Sequence, residues 1–151
     1  MIEIQVNSQP VLDAFNRLIA VGQNPHALLG AIGKEMESRV SAHFETKTDP
    51  TGAPWAPWKP STVKSYPKSG ANNKLLDRFN DMLGSLNHQA DNDSVRIGFG
   101  QPYAQYHEFG TSKMARRGLL TADPVAGLLG AGDEQAITGI LRSALENAIQ
   151  G

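Results

Sequence analysis

The sequence predicts an α+β protein in which N-terminal helices and a C-terminal helix pack on a small antiparallel sheet, with long extended loops between them. Three observations point there. Apolar residues recur every three or four positions over 28–44 and again over 137–149, the period of a helix with one buried face. Val95, Ile97 and Phe99 alternate with Ser94, Arg96 and Gly98, the period of a half-buried strand. From Thr46 to Asn73 periodicity disappears, and Pro54, Pro57, Pro60 and Pro67 forbid a continuous helix.

Taken in order, Ile2, Ile4 and Val6 alternate with Glu3 and Gln5 and predict a short first strand. Asn7 or Ser8 can cap the helix that follows, and Pro10 suits its first turn, where the missing N–H has no intrahelical partner. Val11, Leu12, Phe15, Leu18 and Ile19 form one face of that helix, which closes at Gly22-Gln23-Asn24-Pro25. A longer helix is predicted from Pro25 to Glu45, with Leu28, Leu29, Ile32, Met36, Val40 and Phe44 on its apolar side. At ~1.5 Å per residue it is a rod of roughly 30 Å, enough to cross a small domain. The stretch from Thr46 to Lys74 reads as a mobile arm; its five lysines against one aspartate make it locally basic. Leu75, Leu76, Phe79, Met82, Leu83 and Leu86 suggest a short amphipathic helix or a passage from helix to strand. Asp91-Asn92-Asp93 marks a turn, so a partner strand over 86–90 completes a hairpin with Val95–Phe99. Tyr103–Phe109 reads as a short helix ended by Gly110, and Thr111–Asp123 as a basic loop. Gly127 to Gly132 reads as a flexible lead-in to a last helix, which Asp133 can cap.

With 151 residues the chain suits a single domain, residues 1–151. A net charge of −1 gives no overall basic field for nucleic acid. The sequence has no cysteine, which removes disulfides, thiolate nucleophiles and cysteine-type metal sites. Its longest apolar runs are too short to span a membrane, and Met1-Ile2-Glu3-Ile4 lacks the order of a secretory signal. The chain therefore reads as cytoplasmic at synthesis, without cofactor, metal or membrane partner.

Catalytic constellations are equally scarce. His26, His43, His88 and His107 include no i, i+4 pair of the zinc-binding kind. His107 and Glu108 are neighbours and point in different directions on a helix, so a hydrolase built on them ranks last. There is no nucleophile elbow around any serine. Trp55 and Trp58, beside Lys59, suit either base stacking in a basic groove or anchoring of the arm, and anchoring is preferred. Lys113, Arg116 and Arg117 invite phosphate contact, yet three charges in one loop are more often a solvated face or a subunit contact.

Two stretches carry a family resemblance. Asp49-Pro50-Thr51-Gly52-Ala53-Pro54-Trp55-Ala56-Pro57-Trp58-Lys59-Pro60-Ser61-Thr62 resembles the D-x-x-G-x-x-W-x-P-L-x-P-x-T segment of the phage virion morphogenesis family, which takes in the Mu-type head morphogenesis protein G and phage tail completion proteins. Tyr103-Ala104-Gln105-Tyr106-His107-Glu108-Phe109-Gly110-Thr111-Ser112-Lys113, followed by Arg116-Arg117-Gly118-Leu119-Leu120, resembles the block that this family shares with small head–tail joining proteins. Two departures stand out. Leu75-Leu76 is followed by Asp77-Arg78 where the family places Thr-Gly, and Gly118 takes the place of the proline in an R-P-F-L signature.

The resemblance implies a non-enzymatic structural protein of a tailed phage or prophage. It would be made in the host cytoplasm and built into the virion as part of an oligomeric ring, in tail completion or head–tail joining at the neck. Its partners would be further copies of itself, connector, tail terminator or tail tube proteins, and genome DNA passing through the lumen. Under that reading Trp55, Trp58, Lys59, Tyr103, Tyr106, His107, Phe109, Lys113, Arg116 and Arg117 are contact residues. Both loops would order on assembly. Lys59, Lys64, Lys68 and Lys74 are the candidates to face DNA. The alternative is a nucleic-acid-binding module without sequence specificity, built on the two tryptophans and lysines of the arm.

Overall fold

The computed structural model describes residues 8–22, 24–57, 59–61 and 81–150. The strand expected over 2–6, Trp58, and the part of the arm that carries Lys64, Lys68 and Lys74 lie outside the described residues.

Helix α1 (Gln9–Ala20) starts as its sequence suggests: Ser8 accepts the Val11 N–H on its hydroxyl at 3.4 Å, and Pro10 sits in the first turn. The same hydroxyl donates to Glu134 at 3.0 Å, which ties the start of α1 to the far end of the sequence. Helix α2 (Pro25–Thr46) is capped by Asn24, whose side chain accepts the His26 N–H, and ends where Lys47 turns left-handed at φ 59°. Its buried residues include the apolar series Leu29, Ile32, Met36, Val40 and Phe44. It crosses the molecule and packs on both strands and on the C-terminal helix.

A single turn, α3 (Asp81–Gly84), leads into the hairpin of β1 (Leu86–Ala90) and β2 (Val95–Phe99), antiparallel with Leu86 opposite Phe99 and Ala90 opposite Val95. Asn87, Gln89 and Arg96 face water, while Leu86, His88, Val95 and Ile97 turn toward α2 and the core. The hairpin approaches α2 closely at Gly33: a Cβ there would lie 2.4 Å from the His88 ring. Glu37, one turn on, holds that ring through His88 Nδ1 at 2.7 Å.

After β2 come the short helix α4 (Ala104–Phe109), a succession of tight turns, and helix α5 (Ala131–Gln150). Two expectations change here. Asp133 lies inside the first turn of α5 and not at its cap, because the helix begins at Ala131; buried to 2% exposure, Asp133 accepts from Arg39 Nε of α2 at 2.6 Å. The lead-in that reads as flexible in sequence is hydrogen-bonded: Asp123 Oδ1 accepts the N–H groups of Val125 and Ala126, and Asp123 bridges to Leu128. Gly130 follows because Pro50 leaves no room, its carbonyl oxygen lying 2.0 Å from where a Cβ would be.

Helices α1 and α5 run parallel. A cleft of about 420 Å³ between them is lined by Gln9, Asp13 and Arg17 of α1 and by Glu134, Thr138 and Arg142 of α5. The buried side chains fall into two clusters. One gathers Leu18, Ile32, Met36, Ile137 and Leu141 among α1, α2 and α5. The other gathers Val40, Phe44, Trp55, Met82, Phe99, Ala104, Leu119 and Leu120, and Ile97 packs against both. Among the described residues no helix is long and apolar enough to cross a membrane.

Candidate interaction surface

The two segments that resemble the family fold onto each other. Asp49 starts the first: its carboxylate accepts from Thr51 and Ala53, and Gly52 takes φ 90°, so the chain reverses and Trp55 N–H reaches the Lys47 carbonyl at 2.8 Å. The Trp55 ring is then driven into the second cluster, 6% exposed and edge-on to Phe44 at 5.2 Å. Its indole N–H donates to the Gly118 carbonyl at 2.9 Å. Arg117 continues the seam, donating from Nε to Ala56 and from Nη2 to Pro57 at 2.8 and 2.9 Å. Lys59 Nζ donates to the Lys113 carbonyl.

The second segment has an inner and an outer side. Ala104 and Glu108, one turn apart, are fully buried, whereas Tyr103, Tyr106 and Phe109 recur at steps of three and are 39%, 51% and 44% exposed. Two of these rings stand on the outer side of a helix only six residues long, and Tyr103 stands at its N-cap. Gly110, at φ 73°, ends it and passes close to Arg116, and a bridge between Thr111 and Met114 forms the turn that carries Lys113.

Beneath the aromatic ridge the Glu108 carboxylate gathers a set of donors. Leu119 and Leu120 donate their N–H groups to Oε2 at 2.6 and 2.8 Å; Thr121 donates its N–H to Oε1 at 3.1 Å and its hydroxyl to the same oxygen. Arg116 adds Nη2 at 3.4 Å from Oε1, and donates to the backbone carbonyls of Glu108 and Thr121. The segment from 116 to 121 is thus held in the single chain, although the sequence suggests a loop that orders only on assembly. Sequence reading passed over Glu108 as a structural centre because its donors lie eight to thirteen residues away. The one local sign is an acid on the face that Ala104 otherwise makes apolar.

His107 lies beside this seam. Its carbonyl accepts the Arg117 N–H at 2.9 Å, and its Nδ1 is buried with no hydrogen-bond partner among the described residues. Burial, and then the positive charge of Arg117, push its pKa down to about 4. Burial and the Asp81 carboxylate raise that of Tyr103.

The arrangement bears on the chemical readings. A general base needs a lone pair within reach of substrate; Glu108 is closed to solvent and surrounded by donors. Base stacking needs an open ring; that of Trp55 is enclosed. Arg116 and Arg117 direct the hydrogen bonds just described into the chain, which leaves Lys59, Tyr103, Tyr106, Phe109 and Lys113 as the exposed candidates among the described residues. Among the described residues no group of three or more metal-ligating side chains converges.

Comparison with known proteins gives one consistent result. The model of the phage virion morphogenesis family matches residues 6–146. A relative, Mu-like prophage FluMu G protein 2 of Haemophilus influenzae, is 30% identical over 125 residues, covering 82% of this chain and 80% of that protein. No solved structure matches.

Proposed function

The chain belongs to the phage virion morphogenesis family, and from that premise we propose that it completes the tail or joins head to tail at the neck, as one subunit of an oligomeric ring. A structural role in virion morphogenesis comes with the family and the prophage relative. The finer reading is carried by one observation: the described parts of both family segments meet along a hydrogen-bonded seam whose outer side is a row of exposed aromatics. Tyrosine and phenylalanine are enriched in protein interfaces, where a large ring is buried with little loss of side-chain freedom. On this reading Tyr103, Tyr106, Phe109 and Lys113 meet the neighbouring subunit or the tail, and the arm beyond Lys59 adds to the contact. Lysines of that arm face the DNA path, and with Trp55 enclosed their contribution is electrostatic and independent of base sequence.

Two measurements test it. Light scattering on purified protein across a concentration series is expected to show rings or reversible multimers, and pull-down on purified tails or connectors to show retention. Tyr106→Ser with Phe109→Ser is expected to weaken both at least about tenfold, as for a hot-spot pair. A protein that stays monomeric at high concentration and binds neither structure defeats the proposal.

A further inference from the structure

We propose that Glu108 is the positioning residue of this contact surface, a buried carboxylate that locks the aromatic helix to the 116–121 segment; the proposal rests on the surface reading given above. Three successive N–H groups, at 119, 120 and 121, point at one spot, as they do at the start of a helix or in an anion-binding nest. The spot is filled by the chain's own carboxylate at 2.6, 2.8 and 3.1 Å. A fully buried carboxylate is tolerated only when its oxygens are satisfied. Here the Thr121 hydroxyl and the Arg116 guanidinium complete the set.

The consequence is mechanical. Glu108 lies on α4 between Tyr106 and Phe109 and faces the opposite way, so fixing its carboxylate fixes the aromatic ridge. The donors lie immediately after Gly118, whose carbonyl takes the Trp55 indole N–H. One side chain therefore registers the ridge, the 116–121 turn and the Trp55 strut as a rigid body. A contact made by a rigid patch avoids the ordering cost that a loose one incurs.

Glu108→Gln keeps the volume but can accept on only one oxygen, and turns an NH₂ group toward N–H donors. In the purified variant, hydrogen exchange at the Leu119, Leu120 and Thr121 amides is expected to accelerate at least about tenfold, with slower-exchanging α2 amides unchanged. In a prophage deleted for its own copy, the variant is expected to restore particle yield at least about tenfold less well than the parent. Ile137→Val, in the other buried cluster, supplies a control that lowers melting temperature without opening the 119–121 turn; it is expected to restore yield in full. Tyr106→Ser is expected to leave exchange at the three amides unchanged and still lose yield.

Unchanged exchange in Glu108→Gln, or full yield despite faster exchange while Tyr106→Ser is defective, overturns the positioning role and leaves the surface reading standing. Full yield from Tyr106→Ser overturns the surface reading itself, and the positioning role with it. If Glu108→Gln does not fold, Thr121→Val removes only the hydroxyl donor; a smaller acceleration at the same three amides is then expected, and its absence overturns the proposal.

Discussion

His107 and Trp55 show how far a single side chain can be read before its neighbours are known. The His107 ring is half-buried, and burial first, then the positive charge of Arg117 ten residues on, both lower its pKa. That direction has a consequence for stability. The unfolded chain protonates His107 near its ordinary value of 6.5, the folded chain only near 4. Between those values the unfolded state binds more protons, so the His107 contribution is intact above 6.5 and is lost as pH falls toward 4. Urea denaturation of His107→Gln at pH 7 and at pH 4.5 is expected to show a shallower decline than the parent. Parallel declines refute the assignment. Trp55 was legible as an anchor from its proline-rich setting; its hydrogen bond to Gly118 was not, because nothing local marks a carbonyl 63 residues away as acceptor.

At the scale of elements, periodicity was sufficient wherever one face meets the core. Both N-terminal helices, a hairpin pairing 86–90 with 95–99, and a short helix before Gly110 follow from spacing and caps. The helix expected from Tyr103 begins at Ala104, however, and the register comes from the structure. The start of α5 did not follow, since Asp133 resembles a cap and is in fact drawn inward by Arg39. The turns at 111–114 and 123–128 also escaped, because the backbone bridges and side-chain to backbone bonds that close them leave no periodic trace. Two glycines of α2 expose the same difference. A methyl group at Gly30 meets nothing within 4 Å, so Gly30→Ala is expected to stabilise by about 0.5–1 kcal/mol through helix propensity. A methyl group at Gly33 would lie 2.4 Å from the His88 ring, so Gly33→Ala is expected to cost about 1–3 kcal/mol. Chemical denaturation of the two variants compares them directly; equal effects would mean that the hairpin does not press on α2 as described.

Across the whole molecule, two buried clusters share α2 and the β2 residue Ile97, and the Arg39–Asp133 pair ties α2 to the C-terminal helix. Removing Arg39 leaves a carboxylate at 2% exposure without its cation. Because the Arg39 side chain is about a third exposed, Arg39→Met is expected to cost near the lower end of the ~3–5 kcal/mol typical of a broken buried pair. Adding Asp133→Leu is expected to recover much of that loss, and thermal melts of the single and double variants decide the point. The parallel course of α1 and α5 also has a practical use. Ser8 meets Glu134 at one end of α5, while Asn147 lies thirteen residues further on, roughly 20 Å away along the axis. The sequence contains no cysteine, so Gln9→Cys and Asn147→Cys, both at exposed positions, each create a unique attachment point for a gold cluster or fluorophore. Labels at these two sites stand near opposite ends of α5, and under the proposed function their order along the particle axis reports how the subunit is oriented.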